Sequence, residues 1–208
     1  MTEFEFADEF LPTYDVSDAV GVVVDAGPAR TWDVLMAADL IEVGRRRPLV
    51  GALGALRGLP ELVTRVLHGE GMPHPPKRLT LRDTAEIPAG EGGWVLLGER
   101  PGREIALGLV GKFWRPVIAY ASVDVEQFRE FAEPGYAKTV YALAVQPVDD
   151  GRTLLSAVMR TATTDEHARR WFRRYWTFGV GPGAHVLVNA LLDVVREDVE
   201  DTAATPST

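Results

Sequence analysis

Hydrophobic positions near the start of the chain predict one strand followed by a helix. Residues 19–24 are apolar and mostly valine, a composition typical of a β-strand. Pro28 follows four residues later, and proline suits the first position of a helix. The apolar residues that then recur at helical spacing are Trp32, Leu35, Met36 and Leu40. A helix beginning near Pro28 is therefore expected.

A second helical stretch is predicted from Pro48 to Leu67, where leucine and valine recur every three or four residues. Gly58 and Pro60 lie inside it, and both residue types are unfavourable in a helix interior. We therefore expect short helices after the first strand, with a break in the second helical stretch near these two residues.

From residue 78 onward the pattern changes to strands joined by short turns. A short helix at 124–131 interrupts them, with Asp124 as its N-cap. The predicted strands cover residues 78–87, 94–100, 103–112, 115–123, 136–147 and 152–163. A long final helix then runs to about Glu197, and the glycines at 179–183 kink or interrupt it.

This order predicts an α+β fold with an antiparallel sheet, because consecutive strands joined by short turns pair antiparallel. The final helix is the element long and apolar enough to cover one face of that sheet. A sheet wrapped around a helix leaves a cavity between them, and such cavities bind apolar ligands.

Charge separates the ends of the chain from its body. The 208 residues carry a formal net charge of −8. Residues 1–16 contain five acidic residues and residues 197–208 contain four, without a basic residue in either segment. The remainder therefore sits near +1. We expect an acidic N-terminal segment (1–16), a single domain (17–198) and a disordered tail (199–208).

Several kinds of chemistry are excluded by composition. The chain has no cysteine, which removes disulfides, cysteine–zinc sites and thiol nucleophiles. Its four histidines lack metal-ligand spacing, so no metal is expected. The run Gly179-x-Gly-x-Gly183 follows a helix and not a strand, unlike a dinucleotide-binding loop, so no cofactor is expected either. No signal peptide or membrane-spanning run is visible, which predicts a cytoplasmic protein without a membrane span. We expect no nucleic-acid partner, and a homodimer stays open.

Short motifs spread over residues 10–198 resemble the START/Bet v 1-like superfamily, which includes SRPBCC and polyketide cyclase/dehydrase-like proteins. Within this superfamily they are similar to an actinobacterial subgroup of mostly uncharacterised SRPBCC proteins. The segments that carry the likeness are Leu11-Pro12-x-Tyr14, 26–32, Gly108-x-x-Gly-Lys-Phe-Trp-Arg115, 128–135, 159–165 and 168–176. The resemblance implies a helix-grip fold, with a curved antiparallel sheet of about seven strands around the C-terminal helix. It poorly specifies function, since members include lipid carriers, hormone receptors and polyketide aromatase/cyclases.

Aromatic side chains on the elements that should border the cavity are candidate ligand contacts. They supply large, rigid apolar surface that can stack on a flat or polyene ligand. The alternative is ordinary core packing, which we expect for most of them. These residues are Trp94, Trp114, Tyr120, Tyr141 and Trp176.

Two charged or titratable residues are further candidates for binding the ligand. Arg160 shares a face of its predicted strand with Ser156 and Val158, and a buried arginine needs an anionic partner. That partner is either a ligand oxygen or a structural carboxylate, and we favour the second. Val158 replaces the acidic residue that the resemblance leads us to expect there. His185 follows the helix interruption beside the cavity, but a partly exposed histidine without a catalytic role is the favoured interpretation.

Three functional hypotheses follow. The first is binding of a hydrophobic small molecule, such as a lipid, a polyketide or an aromatic metabolite, between the sheet and the final helix. The second is a polyketide aromatase/cyclase-like or dehydratase-like enzyme, so enzymatic activity stays open. The third is a non-catalytic interaction module that uses the arginines at 169, 170, 173 and 174.

Overall fold

A computed structural model of the chain describes residues 4–67, 77–87 and 93–204. The strands are β1 (Val16–Val24), β2 (Val95–Arg100), β3 (Glu104–Lys112), β4 (Ala119–Tyr120), β5 (Ala137–Pro147) and β6 (Thr153–Thr163). The helices are α1 (Glu5–Phe10), α2 (Pro28–Ala37), α3 (Leu40–Arg46), α4 (Pro48–Leu67), α5 (Leu81–Glu86), α6 (Val125–Glu130), α7 (Glu166–Tyr175) and α8 (Gly181–Ala204). A π-helical turn at Trp176–Val180 joins α7 to α8.

The strands form one open antiparallel sheet in the order β1-β6-β5-β3-β2, and β4 pairs with the end of β3. β1 comes first in the chain but pairs with β6, the last strand. The hairpins β2–β3 and β5–β6 turn back at Gly102 and at residues 148–152. Gly102 has a φ of 79°, a backbone conformation that glycine adopts without strain.

α8 crosses one face of this sheet and follows β1 for most of its length. Near its start, His185 pairs with Asp18 of β1 at 2.9 Å. Near its other end, the Glu200 carboxylate accepts a 3.4 Å hydrogen bond from the Asp25 backbone N–H. α8 therefore runs from the β4 end of the sheet to the opposite end. Leu155, Leu143 and Ile105 of the sheet are buried in the same core as α8.

The other face of the sheet is also covered. α1 and α6 lie there, and Phe128 of α6 is fully buried in that second core. The Phe10 ring of α1 packs against the Phe128 ring with centroids 6.3 Å apart. Because both faces are buried, alternate residues of β5 belong to different cores, with Leu143 on the α8 face and Val140 on the α1 face.

The α+β class and the antiparallel sheet with a C-terminal helix agree with the prediction from sequence. The strand count differs, with six strands among the described residues against about seven expected. The predicted strand at 78–87 is wrong, because these residues contain helix α5. Thr80 and Asp83 form a capping box there: the Thr80 hydroxyl accepts from the Asp83 N–H and the Asp83 carboxylate from the Thr80 N–H.

α4 has the predicted bounds, Pro48 to Leu67, but it is not broken. It continues as one helix of 20 residues through Gly58 and Pro60, where we predicted a break. Proline removes one backbone hydrogen bond, and a helix of this length can retain its other bonds on either side.

The predicted division of the chain into segments remains a prediction. In the structure, Phe4, Ala7, Phe10 and Leu11 of the acidic N-terminal segment pack on the sheet. α8 extends to Ala204, with Val199 fully buried. Residues 205–208 of the predicted tail lie outside the described residues.

Candidate functional site

A cavity of about 750 Å³ lies between the sheet and α8, and α4 and α5 complete its wall. Its lining is almost entirely aliphatic and aromatic. The lining residues are Leu40, Leu53, Gly54, Leu56, Leu81, Thr84, Trp94, Leu107, Trp114, Arg115, Pro116, Tyr141, Met159, Tyr175, Gly183, Ala184, Leu187, Val188 and Leu191.

Three neighbouring strands supply the floor of the cavity. Leu107, Tyr141 and Met159 are directly opposite one another on β3, β5 and β6. Residues that pair across an antiparallel sheet point to the same face, so the three side chains form one row beneath α8. Asp18 of β1 pairs with Met159 and ends this row at the edge of the sheet.

Helices supply the roof. Gly183, Ala184, Leu187 and Leu191 of α8 recur at intervals of one to four residues and line the cavity. α4 lies close to Gly183, where an added Cβ would be in ordinary van der Waals contact with the Leu53 methyl groups at 3.8–3.9 Å. The helical spacing was visible in the sequence, but that these leucines face a cavity could not be predicted from spacing alone.

Two aromatic rings meet at one side of the cavity. Trp94 and Tyr141 have ring centroids 6.2 Å apart and an interplanar angle of 56°. The Trp94 backbone N–H donates a 3.0 Å hydrogen bond to the Thr84 backbone carbonyl, which fixes the start of β2 against α5. Tilted contacts at this separation are favourable between aromatic rings. The pair gives the cavity a rigid aromatic wall.

The Tyr141 hydroxyl is buried and has no hydrogen-bond partner among the described residues. Burial raises the pKa of the Tyr141 phenol, and the charge of nearby Asp18 raises it further. The phenol therefore stays protonated at neutral pH. It can donate a hydrogen bond but cannot serve as a base.

Of the seven predicted contacts, Trp94, Trp114 and Tyr141 line the cavity. Tyr120 and Trp176 do not. Both lie in a neighbouring cluster at the β4 end of the sheet, where Trp176 stacks on the Phe172 ring at 5.9 Å. Their side chains pack that end of the structure. Core packing was the alternative to ligand contact that we gave for these residues from the sequence.

Arg160 does not lie where we expected a ligand contact. Its backbone pairs with Val140, so its side chain projects from the α1 face of the sheet, opposite to the cavity. The guanidinium binds the Asp8 carboxylate of α1 at 2.7 Å and stacks on the Tyr14 ring at 4.9 Å. Arg160 is therefore a structural partner of the N-terminal segment, the alternative that we favoured.

His185 lies beside the cavity but does not line it. Its Nδ1 atom is 2.9 Å from an Asp18 carboxylate oxygen, and the imidazole is half-exposed. This contact connects the start of α8 to the edge strand β1.

Among the described residues, the remaining charged and histidine side chains give no further candidate site within the cavity. Glu99 forms an ion pair with Arg82 and stands outside the cavity lining. Within residues 4–67, 77–87 and 93–204, no three histidine or acidic side chains lie close enough together to hold a metal ion. In the same residues, no single helix is both long and apolar enough to cross a membrane. Only α7 and α8 taken together, across a 62° bend, reach that length and composition.

The arrangement as a whole is an open antiparallel sheet whose C-terminal helix encloses an apolar cavity. No protein-family model and no curated protein matches the sequence.

Among solved structures, a hypothetical protein from Helicobacter pylori has a TM-score of 0.43 at 10% identity, covering 96% of this chain and 97% of the other. A conserved protein from Geobacillus kaustophilus has a TM-score of 0.40 at 10% identity, covering 90% and 97%. The aromatase/cyclase ZhuI from Streptomyces sp. R1128 has a TM-score of 0.28 at 14% identity, covering 89% and 93%. Likeness at this level is too distant to transfer a function or a binding site.

Proposed function

We propose that the protein binds a hydrophobic small molecule in the cavity between the sheet and α8. The observation that carries this proposal is the size and chemistry of the cavity, which has about 750 Å³ and an almost wholly apolar lining. Binding pockets for small molecules usually measure roughly 300–1,000 Å³ and combine apolar walls with a few polar groups. A densely packed core would leave no space of this size.

The lining also favours a particular kind of ligand. Apolar burial contributes roughly 25 cal/mol per Å² to affinity, so most of the binding energy would come from carbon surface. The rings of Trp94, Trp114 and Tyr141 present flat faces that suit an aromatic ring or a polyene. The Thr84 hydroxyl already donates a 2.6 Å hydrogen bond to the Leu81 carbonyl, which leaves few polar groups for the ligand. A neutral aromatic metabolite, polyketide or lipid fits these walls.

A binding role fits the cavity better than a cyclase-like or dehydratase-like activity. General acid–base catalysis needs a titratable group beside the substrate, with a pKa near the working pH. The described lining contains neither a carboxylate nor a histidine. Tyr141 stays protonated because burial raises its pKa, and Arg115 keeps its proton at any physiological pH. The groups at the cavity can therefore orient a ligand but offer no base.

The test is a titration of the purified protein with Nile red, a neutral hydrophobic dye whose fluorescence rises in apolar surroundings. Ala184→Trp places a large side chain inside the cavity, and we expect it to weaken dye binding about tenfold or more. Ala52→Trp is the matched control, because Ala52 is an exposed alanine of α4 that does not line the cavity. The control should bind within about twofold of the parent protein.

Two results would refute the proposal. One is a parent protein that does not enhance dye fluorescence. The other is an Ala184→Trp variant that is folded by circular dichroism and binds the dye as tightly as Ala52→Trp. If neither result is obtained, native mass spectrometry of the protein as purified would identify any molecule that the cavity retains.

A further inference from the structure

The cavity reaches the surface at an exposed apolar rim, which we define as Leu56, Phe178 and Leu187. Leu56 and Leu187 belong to the lining, yet they are 65% and 44% exposed. Phe178 is 88% exposed and lies on the π-helical turn, between the lining residues Tyr175 and Gly183. Large apolar side chains gathered at a cavity mouth are characteristic of a surface that meets another apolar phase.

Positive charge lies next to this rim. Arg170, Arg173 and Arg174 of α7 are all exposed, one or two turns before Phe178. None of them forms an ion pair with a residue in the described part of the chain. The Arg174 guanidinium lies over the face of the Trp171 ring, 5.5 Å from its centroid. Three exposed cations thus precede an exposed phenylalanine on consecutive turns of the chain.

Several acidic groups at the same end are already engaged. Asp15 and Glu166 both bind Arg169, at 2.8 Å and 3.0 Å. Asp165 accepts the Ala168 N–H at 2.7 Å as the N-cap of α7, and Asp18 pairs with His185. They therefore do not neutralise the three arginines directly.

Acidic charge is concentrated at the other end of α8. Glu197, Asp198, Glu200 and Asp201 lie on the last turns of this helix. At 1.5 Å per residue, they stand roughly 25–30 Å from Gly181, about three Debye lengths at physiological ionic strength. Arg46, the last residue of α3, and Arg47, which follows it, bind Glu197 at that end. The acidic end therefore does little to repel an anionic surface that approaches the rim.

We propose that the rim docks on an anionic lipid bilayer, with Phe178 inserted among the acyl chains and Arg170, Arg173 and Arg174 on the lipid headgroups. In this orientation the cavity mouth faces the membrane, so a hydrophobic ligand passes between bilayer and cavity without crossing water. The docking goes beyond ligand binding and does not depend on what occupies the cavity.

A bilayer fits this surface better than a nucleic acid does. Single-stranded nucleic acids are held by aromatic rings on which successive bases stack. Here two of the three rim side chains are leucines, which insert into acyl chains but offer no stacking face. An interfacial helix likewise combines arginines on its polar face with bulky apolar residues that enter the bilayer.

The test is co-sedimentation with vesicles made of equal parts phosphatidylcholine and phosphatidylserine, compared with vesicles of phosphatidylcholine alone. We expect binding to the acidic vesicles that weakens as salt is raised. Each arginine near an anionic surface should contribute about fivefold to the partition coefficient. Arg173→Gln/Arg174→Gln should therefore bind at least tenfold more weakly, and Arg173→Glu/Arg174→Glu more weakly still. Phe178→Ser should lose severalfold at every salt concentration.

Control variants come from the opposite end of the sheet. Arg103→Gln removes a cation in the β2–β3 turn, and Val148→Ser removes an exposed apolar side chain after β5. Both should bind vesicles as the parent protein does. The proposal is overturned if the parent protein stays in the supernatant with acidic vesicles, or if the controls lose as much binding as the rim variants.

Nile red titration without vesicles separates this proposal from the cavity proposal. The arginine variants should bind the dye like the parent protein, because these side chains do not line the cavity. Normal vesicle binding with no dye binding would refute the cavity function and leave the docking surface intact. The reverse result would refute docking alone.

Discussion

Replacing Arg160 by methionine separates a structural role from a ligand-binding role. The guanidinium is 13% exposed, and it binds Asp8, whose side chain is 57% exposed. An ion pair with one exposed partner contributes about 0.2–1 kcal/mol, and the stacking on Tyr14 contributes roughly 0.5–1 kcal/mol. Both contributions are lost in Arg160→Met.

An opposing effect reduces the loss. The Arg160 Nε atom is buried without a hydrogen-bond partner among the described residues, and such a group costs about 1–3 kcal/mol. Methionine removes that cost while retaining most of the buried stem. We therefore expect the free energy of unfolding to change by no more than about 1 kcal/mol, or about 2–4 °C in Tm. Arg160→Ala also loses the apolar stem, at about 0.8 kcal/mol per CH₂, and should cost roughly 2 kcal/mol more.

The assay is urea denaturation followed by circular dichroism, alongside Nile red titration of the folded variants. Dye affinity should be the same in Arg160→Met, Arg160→Ala and the parent protein, because Arg160 and the cavity lie on opposite faces of the sheet. A tenfold loss of dye affinity in Arg160→Met at unchanged stability would show that the guanidinium reaches the ligand. A methionine variant as unstable as the alanine variant would show that the ion pair is worth far more than its exposure suggests.

Two further predictions concern buried polar groups. Burial raises the pKa of the Glu104 carboxyl, although the Phe6 backbone N–H donates a 3.1 Å hydrogen bond to it. Ionisation of Glu104 is therefore less favourable in the folded protein than in the unfolded chain. The parent protein should lose stability relative to Glu104→Gln as pH rises from about 4, the ordinary carboxyl range, through the folded-state pKa. Urea denaturation at several pH values measures this difference, and a difference that does not vary with pH would contradict it. Tyr141→Phe removes a hydroxyl that lacks a partner, so the free energy of unfolding should stay unchanged or rise by about 1 kcal/mol. A loss of similar size, measured the same way, would reveal a partner for this hydroxyl.

Much of the sheet could be predicted because alternation and turn residues are local signals. Strands at 136–147 and 152–163 were expected, and β5 and β6 occupy nearly the same residues. The helix α5 was missed because residues 79–84 alternate like a strand, while the capping box at Thr80 favours a helix. Local patterns conflict there, and contact with Trp94 and the rest of the core favours the helix.

The candidate site was less predictable than the fold. Trp94, Trp114 and Tyr141 could be nominated because large aromatic residues on bordering elements tend to meet the enclosed space. The contributions of α4 could not, since Leu53 and Leu56 repeat at ordinary helical spacing and face the cavity only because α4 packs against the start of α8. The packing of the N-terminal segment on the sheet could not be predicted either. Its acidic residues dominate the composition of the segment, although the Phe10 side chain is buried.

For Arg160, the sequence determines which residues share its face of the sheet, and the tertiary structure determines which helix covers that face. Alternation alone places Arg160 on the same face as Val158 and opposite to Met159, and the structure has that arrangement. It does not say which of the two faces lies beneath α8, because both carry apolar residues and both are buried. That choice is made when α1 packs on one face and α8 on the other, since each helix needs an apolar surface to cover. The same packing places Met159 in the cavity and Arg160 against Asp8.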